Sequence, residues 1–154
     1  MIYSLAFLVG FVAGLRAMMA PAAVCWAAWI GGLPLAGTWF AFLGYRWTPW
    51  IASVAAVGEL VTDQLPSTPS RKVPTQFGAR VTMGGFSGAV IALPSGNWVI
   101  GAVLGVVGAV VGTFAGAAAR AGLASAFGRD RPAALIEDVV ALILAAIVIA
   151  ALHL

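Results

Sequence analysis

The sequence predicts an all-α fold, a polytopic transmembrane helix bundle, and three observations carry that prediction. Hydrophobic residues make up 62% of the 154 and charged residues only 8%, with a mean hydropathy of +1.05. Soluble domains are about 45–50% apolar and about 25% charged. A chain this short cannot hide so much apolar surface from water, because small domains bury a smaller fraction of it. Finally, the apolar runs approach the roughly twenty residues that a membrane-crossing helix needs, and prolines, glycines and charges punctuate them.

Ile2–Trp29 is predicted as the first span, with Arg16 inside it and Pro21 as a kink. Its apolar run continues past Ala20 and lacks a basic leader, so it reads as a retained span rather than a signal peptide. Gly31, Gly32 and Pro34 break it. Leu35–Tyr45 is predicted as a short helix, either spanning, re-entrant or interfacial, flanked by Trp39, Trp47 and Trp50 as an interface belt. Pro49 opens a span to about Leu65, and a polar loop with Arg71 and Lys72 follows. Thr75–Leu93 is the next span, then a turn at Pro94–Asn97 and a span from Trp98 to about Ala119. A basic loop, Arg120–Arg131, leads to the last span, from Pro132 to about Leu152. Five spans plus one short helix form a single transmembrane domain, 1–154.

Lysine and arginine accumulate in cytoplasmic loops. Loops 66–75 and 120–131 are two spans apart and share a side, so both are predicted to be cytoplasmic, in a multi-pass membrane protein. The net charge of +3 comes from only eight basic residues, so no nucleic-acid surface is implied. Gly14/Arg16/Met19 matches Gly78/Arg80/Met83 in the pattern G-x-R-x-x-M, and Phe42–Pro49 echoes Phe127–Pro132. Each half then carries an acidic helix. These matches suggest repeat halves 1–66 and 74–154, inverted, with three segments each.

Glycines 101, 105, 108, 112 and 116 form a bare helix stripe suited to close packing, within the chain or in a homo-oligomer through glycine-rich faces. The ionisable residues inside spans say more, because charge at membrane depth is costly and faces a bundle interior, a partner or a wet cavity. Counting about 1.5 Å per residue, Glu59, Arg80 and Glu137 fall at nearly one depth, with Asp63 and Asp138 beside them and Arg16 deeper. These six residues are the candidate substrate site, with Thr62, Thr82, Ser87, Thr75 and Gln76 near it. The alternative is a set of structural ion pairs. No catalytic constellation and no cofactor motif is present, His153 is the only histidine, and Cys25 reads as a small apolar helix residue.

On Arg16, the stretch Gly58–Pro66 with its E-L-x-x-D-x-x-P pattern, Arg80 and the late Glu137–Asp138 pair, the chain resembles the small bacterial membrane proteins of domain-of-unknown-function family 4126. The likeness covers nearly the whole chain, although many members have lysine where this chain has Gln64. It implies a membrane bundle and the same site residues, and no activity. A more distant likeness is to cation exporters with an acidic E-x-x-D-type motif in a span. The resulting expectation is a small transporter or channel for an ion or small solute. A non-transporting scaffold or accessory subunit, or a phospholipid-binding membrane protein, is the alternative.

Overall fold

A computed structural model describes residues 1–63 and 73–154 of the chain. The described residues form six α-helices and no strands: α1 (Ile2–Leu15), α2 (Met19–Trp29), α3 (Thr48–Thr62), α4 (Pro74–Ala92), α5 (Trp98–Phe127) and α6 (Asp130–His153). Four helices carry a proline within their first three residues: Pro21 in α2, Pro49 in α3, Pro74 in α4 and Pro132 in α6. Amides in a first turn have no intrahelical acceptor, so proline removes no hydrogen bond there.

Neighbouring contacts fix the directions. Gly10 of α1 lies on Gly105 of α5, and Gly14 lies on Ala109 and Gly112, so α1 and α5 run parallel. Gly88 of α4 meets Gly101, and Gly84 meets Gly105 and Ala109, so α4 is antiparallel to both. A tight turn at Gly128, in the left-handed region at φ 63°, reverses α5 into α6. At the far end of α6, Leu152 reaches Gly32, which follows α2. Trp26 packs edge-on against Trp50 at 5.1 Å, which sets α2 antiparallel to α3. All six helices therefore alternate in direction.

That alternation corrects the expected first span. Ile2–Trp29 is not one kinked helix but a hairpin, α1 out and α2 back, that turns at Arg16–Met18. Arg16 is extended, at φ −143° and ψ 111°. Pro21 marks the start of a helix rather than a bend within one. Leu35–Tyr45 also differs from expectation: it is a series of turns with one short 3₁₀ segment, Ala41–Gly44, and does not form a spanning helix. Most of the expected loop 120–131 is helical, because α5 continues to Phe127. In loop 66–75, residues 66–72 lie outside the described residues, while Pro74 and Thr75 already belong to α4.

Among the described residues, two helices, α5 and α6, are long and apolar enough to cross a membrane by themselves. At about 1.5 Å per residue, α1 and α2 are only about 21 and 16 Å long. The segment-by-segment pairing expected for the two halves is not mirrored in the elements. The middle segment of the first half is a run of turns, whereas that of the second half is the 30-residue α5. Arg16 sits at a helix break, and its sequence counterpart Arg80 lies inside α4.

The glycine stripe of α5 is used within the chain. A Cβ on Gly105 would meet the Gly84 backbone, and one on Gly108 or Gly112 would meet Phe7 or Phe11. Three backbones thus approach closely enough to exclude any larger side chain. The two ends of the bundle differ sharply. Five of the six tryptophans lie at one end, in or beside the starts of α3 and α5 and the end of α2, with Trp39 in the turns between α2 and α3, and the hairpin tip and the carboxylates lie at the other.

Candidate functional site

A helix break leaves backbone groups without intrahelical partners: the last carbonyls of one helix and the first amides of the next. At the hairpin tip these are satisfied by charged side chains from other helices. Glu59 of α3 accepts hydrogen bonds from the amides of Ala17 and Met18, both at 2.7 Å. A carboxylate there also meets the positive end of the α2 dipole. On the other side of the break, Arg80 of α4 donates through Nη1 to the carbonyl of Gly14 at 3.0 Å and to that of Leu15. Its cation sits at the negative end of α1. Thr113 of α5 shares its hydroxyl between the carbonyls of Ala109, at 2.8 Å, and Gly14, at 3.3 Å.

Arg16, at the tip itself, points into the bundle. Its Nε and Nη2 face Asp138 Oδ1 of α6 at 2.7 and 2.5 Å, and its Nη1 bonds Asp63 of α3. Asp63 also faces Arg80 Nη2 at 3.3 Å, and Glu59 lies 3.9 Å from the same nitrogen. Two guanidiniums and three carboxylates therefore join the tip to α3, α4 and α6. Arg16 and Arg80 are the largest fully buried side chains among the described residues. The carboxylates around them keep some exposure, 10–13% of each side chain. The cations are thus innermost, and the anions form the wall toward the end of the bundle.

Five of the six expected residues converge directly: Arg16, Glu59, Asp63, Arg80 and Asp138. Glu137 is next to Asp138 in sequence but turns to α5, 3.7 Å from Arg120. Arg16 was expected deeper than the others, on the reading that it lay mid-helix. The hairpin brings it to their level. Sequence reasoning did not find Arg120, whose guanidinium forms a two-point pair with Asp130 at 2.9 and 2.6 Å. It also missed the backbone of residues 14–18. The signal for the break was Pro21, a fourth instance of the helix-start pattern.

The nearby hydroxyls are dispersed. Thr62 bonds back to the Glu59 carbonyl at 3.1 Å, Thr75 and Thr82 are exposed, and Ser87 is fully buried with no hydrogen-bond partner for its Oγ among the described residues. Gln76 is half-buried near the start of α4. Among the described residues no three histidine, cysteine, aspartate or glutamate side chains converge as a metal-holding group.

The chain matches no family model, no curated protein and no solved structure. The chemistry therefore rests on the geometry alone. Buried charges are tolerated when paired and fully hydrogen-bonded, and this cluster spends its charges on a backbone break as well as on one another. The break and the charges stabilise each other: neither fits a closed apolar core without the other.

Alongside the cluster, an apolar groove of about 300 Å³ runs between α2, α3 and α6, lined by Met19, Trp26, Ala56, Leu60, Ala145 and Ile149 among others. Trp26 Nε1 donates to Ser53 Oγ at 2.9 Å across it. The main packing partner of α3 is α2. Its other face leaves Ile51, Val54 and Val61 59–74% exposed.

Proposed function

We propose that the chain is a small multi-span membrane transporter or channel for an ion or small solute, centred on the Arg16, Glu59, Asp63, Arg80, Glu137 and Asp138 region. The observation that carries this reading is the non-helical hairpin tip held by charged side chains. Irregular backbone inside a membrane is tolerated where protein buries it or where it lines a polar cavity, and broken helices recur at solute sites of secondary transporters. In this reading all six helices lie in the bilayer of the bacterial inner membrane. The short hairpin enters from the tryptophan end, and the basic loops around 66–75 and 120–131 face the cytoplasm. The chain is then a member of the family it resembles, domain-of-unknown-function family 4126.

The α3 helix is the natural moving part. It supplies Glu59 and Asp63, yet packs mainly on α2 and presents an apolar stripe outward. Solute passage would require the carboxylates to exchange their partners at the tip for the solute or its counter-ion. The decisive measurement is solute and ion flux into proteoliposomes with wild type, Glu59→Gln and Arg16→Ala, each shown to fold. Flux in wild type that both variants abolish supports the reading. Equal flux in all three, or none in wild type across monovalent ions, protons and small organic acids and amines, removes it.

A second reading has its own support. The charged partners of the tip are already engaged, which suits a cluster that only orders the bundle of a scaffold or accessory subunit. In that case the same variants lose stability or assembly, and no solute changes the stability of wild type.

A further inference from the structure

The turn between α5 and α6 carries a second feature, separate from the hairpin tip. A groove of about 220 Å³ opens between α1, α5 and α6, walled by Phe11, Leu15, Ala115, Leu123, Ile136 and Val140. Its lining is apolar except for Arg120 and Glu137, which lie partway along it. One end lies toward the turn at Gly128, where Leu123 and Ala133 line it, while Phe11, Ala115 and Val140 lie farther along the helices. The groove thus runs from a charged helix end into the apolar body, along the helix axes.

The charge at its mouth is positive. Arg129 and Arg131 flank the turn, both exposed, and neither makes an ion pair with another described residue. Arg120 is taken up by Asp130 at 2.6 Å and lies 3.7 Å from Glu137. Among the described residues, three arginines against two carboxylates leave an excess of one cation. Guanidinium is the side-chain group best matched to phosphate geometry.

We infer that this groove binds an anionic phospholipid, with one acyl chain lying along α1, α5 and α6 and the phosphate held by Arg129 and Arg131. The arrangement matches how a lipid sits in a leaflet, with its head at the helix ends and its tail directed inward. Basic pockets between helices on the cytoplasmic side recognise anionic head groups in the same way. Charge complementarity selects this occupant over a zwitterionic lipid, and the depth of the groove selects a lipid over free phosphate. Glu137 lines both regions, but the head-group contacts, Arg129 and Arg131, are none of the residues proposed for solute transport, so the lipid site is tested separately from it.

The test is thermal unfolding of the full chain in nanodiscs of phosphatidylcholine alone or with phosphatidylglycerol, with inorganic phosphate added to the first as a control. A ligand that binds only the native state raises the unfolding temperature, so phosphatidylglycerol should raise it in wild type and phosphate should not. Arg129→Gln/Arg131→Gln should unfold as wild type does in phosphatidylcholine and lose the increment. Ala119→Phe keeps every charge and fills the groove from an exposed position on α5, and it should lose the increment as well. An increment retained in the double glutamine variant overturns the head-group assignment. One retained in Ala119→Phe shows surface attraction without a groove site, and one reproduced by inorganic phosphate shows a free-anion site. Each of these overturns the proposal, as does the absence of any increment in wild type.

Discussion

Glu59 caps Met18: its carboxylate accepts the Met18 amide at 2.7 Å, from a helix 41 residues further along the chain. The bond joins α3 to the start of α2, and Glu59 holds the neighbouring Ala17 amide at the same distance. One side chain therefore accepts from two successive amides of the broken backbone. Glu59→Gln keeps one acceptor oxygen but turns an NH₂ toward the second amide and removes the charge from the helix end. Hydrogen bonds to charged groups contribute about 1.5–3 kcal/mol each, so a loss on the order of 2 kcal/mol in unfolding free energy is expected. Thermal or denaturant unfolding in detergent micelles measures it. A variant as stable as wild type would show that the cap carries no stability.

Arg16 makes a different demand, since its fork reaches two carboxylates on two helices at once. Lysine at this position keeps the charge but presents a single ammonium, which cannot reproduce Nε and Nη2 on Asp138 together with Nη1 on Asp63. Removing one partner from a buried ion pair costs about 3–5 kcal/mol, because the other charge is left buried. Arg16→Met should approach that figure, and Arg16→Lys should fall between it and wild type. Equilibrium unfolding of the three proteins orders them. Equal stability of Arg16→Lys and wild type would mean that charge alone matters at the tip.

These two residues also show what could be read from the chain and what could not. The all-helical class followed from composition, and α4 and α6 followed from apolar runs of the right length, the second opened by Pro132. The charged site was legible because membrane-depth ionisable residues are rare enough to be conspicuous, and five of six meet. The hairpin was not legible. Ile2–Trp29 has no glycine pair or proline at Arg16 to force a turn, so local propensity favours one long helix there. The break is stabilised from outside, by Glu59 and Arg80, and its one local sign, Pro21 as a helix start, does not say where the preceding helix ends. Leu35–Tyr45 failed for the opposite reason: its apolar and aromatic content suggested a helix, but Gly37 at φ 79° and Pro34 keep it in turns beside the end of α2.

Gly105 separates packing from propensity. A Cβ there would strike the Gly84 backbone and crowd Gly88, and backbone in the middle of three helices does not move aside cheaply. Gly105→Ala is expected to prevent stable folding or to cost several kcal/mol, as overpacking does at a tight site, on the order of 1–3 kcal/mol or more. Gly122 lies on the same helix with nothing within 4 Å of its would-be Cβ. Alanine there should stabilise by up to about 1 kcal/mol, the helix-propensity difference. Melting temperatures of the two variants in one detergent make the comparison. Similar effects of the two substitutions would contradict the close approach of α4 to α5.

The attachment of α3 predicts a local rather than a global response. Its outer face is bare, with Val54 74% exposed. Beyond α2 its charged attachments run through Glu59 and Asp63 to the tip, Arg16 and Arg80. Neutralising both residues, Glu59→Gln with Asp63→Asn, should loosen α3 while α5 keeps its glycine contacts with α1 and α4. Amide hydrogen exchange reads such sub-global opening segment by segment. Exchange across Thr48–Thr62 should quicken about tenfold or more, since each factor of ten corresponds to about 1.4 kcal/mol of lost local stability. Over Trp98–Phe127 it should stay at the wild-type rate. Uniform acceleration across both helices would mean that the charges support the bundle as a whole, and unchanged exchange in α3 would mean that its apolar contact with α2 alone holds it in place.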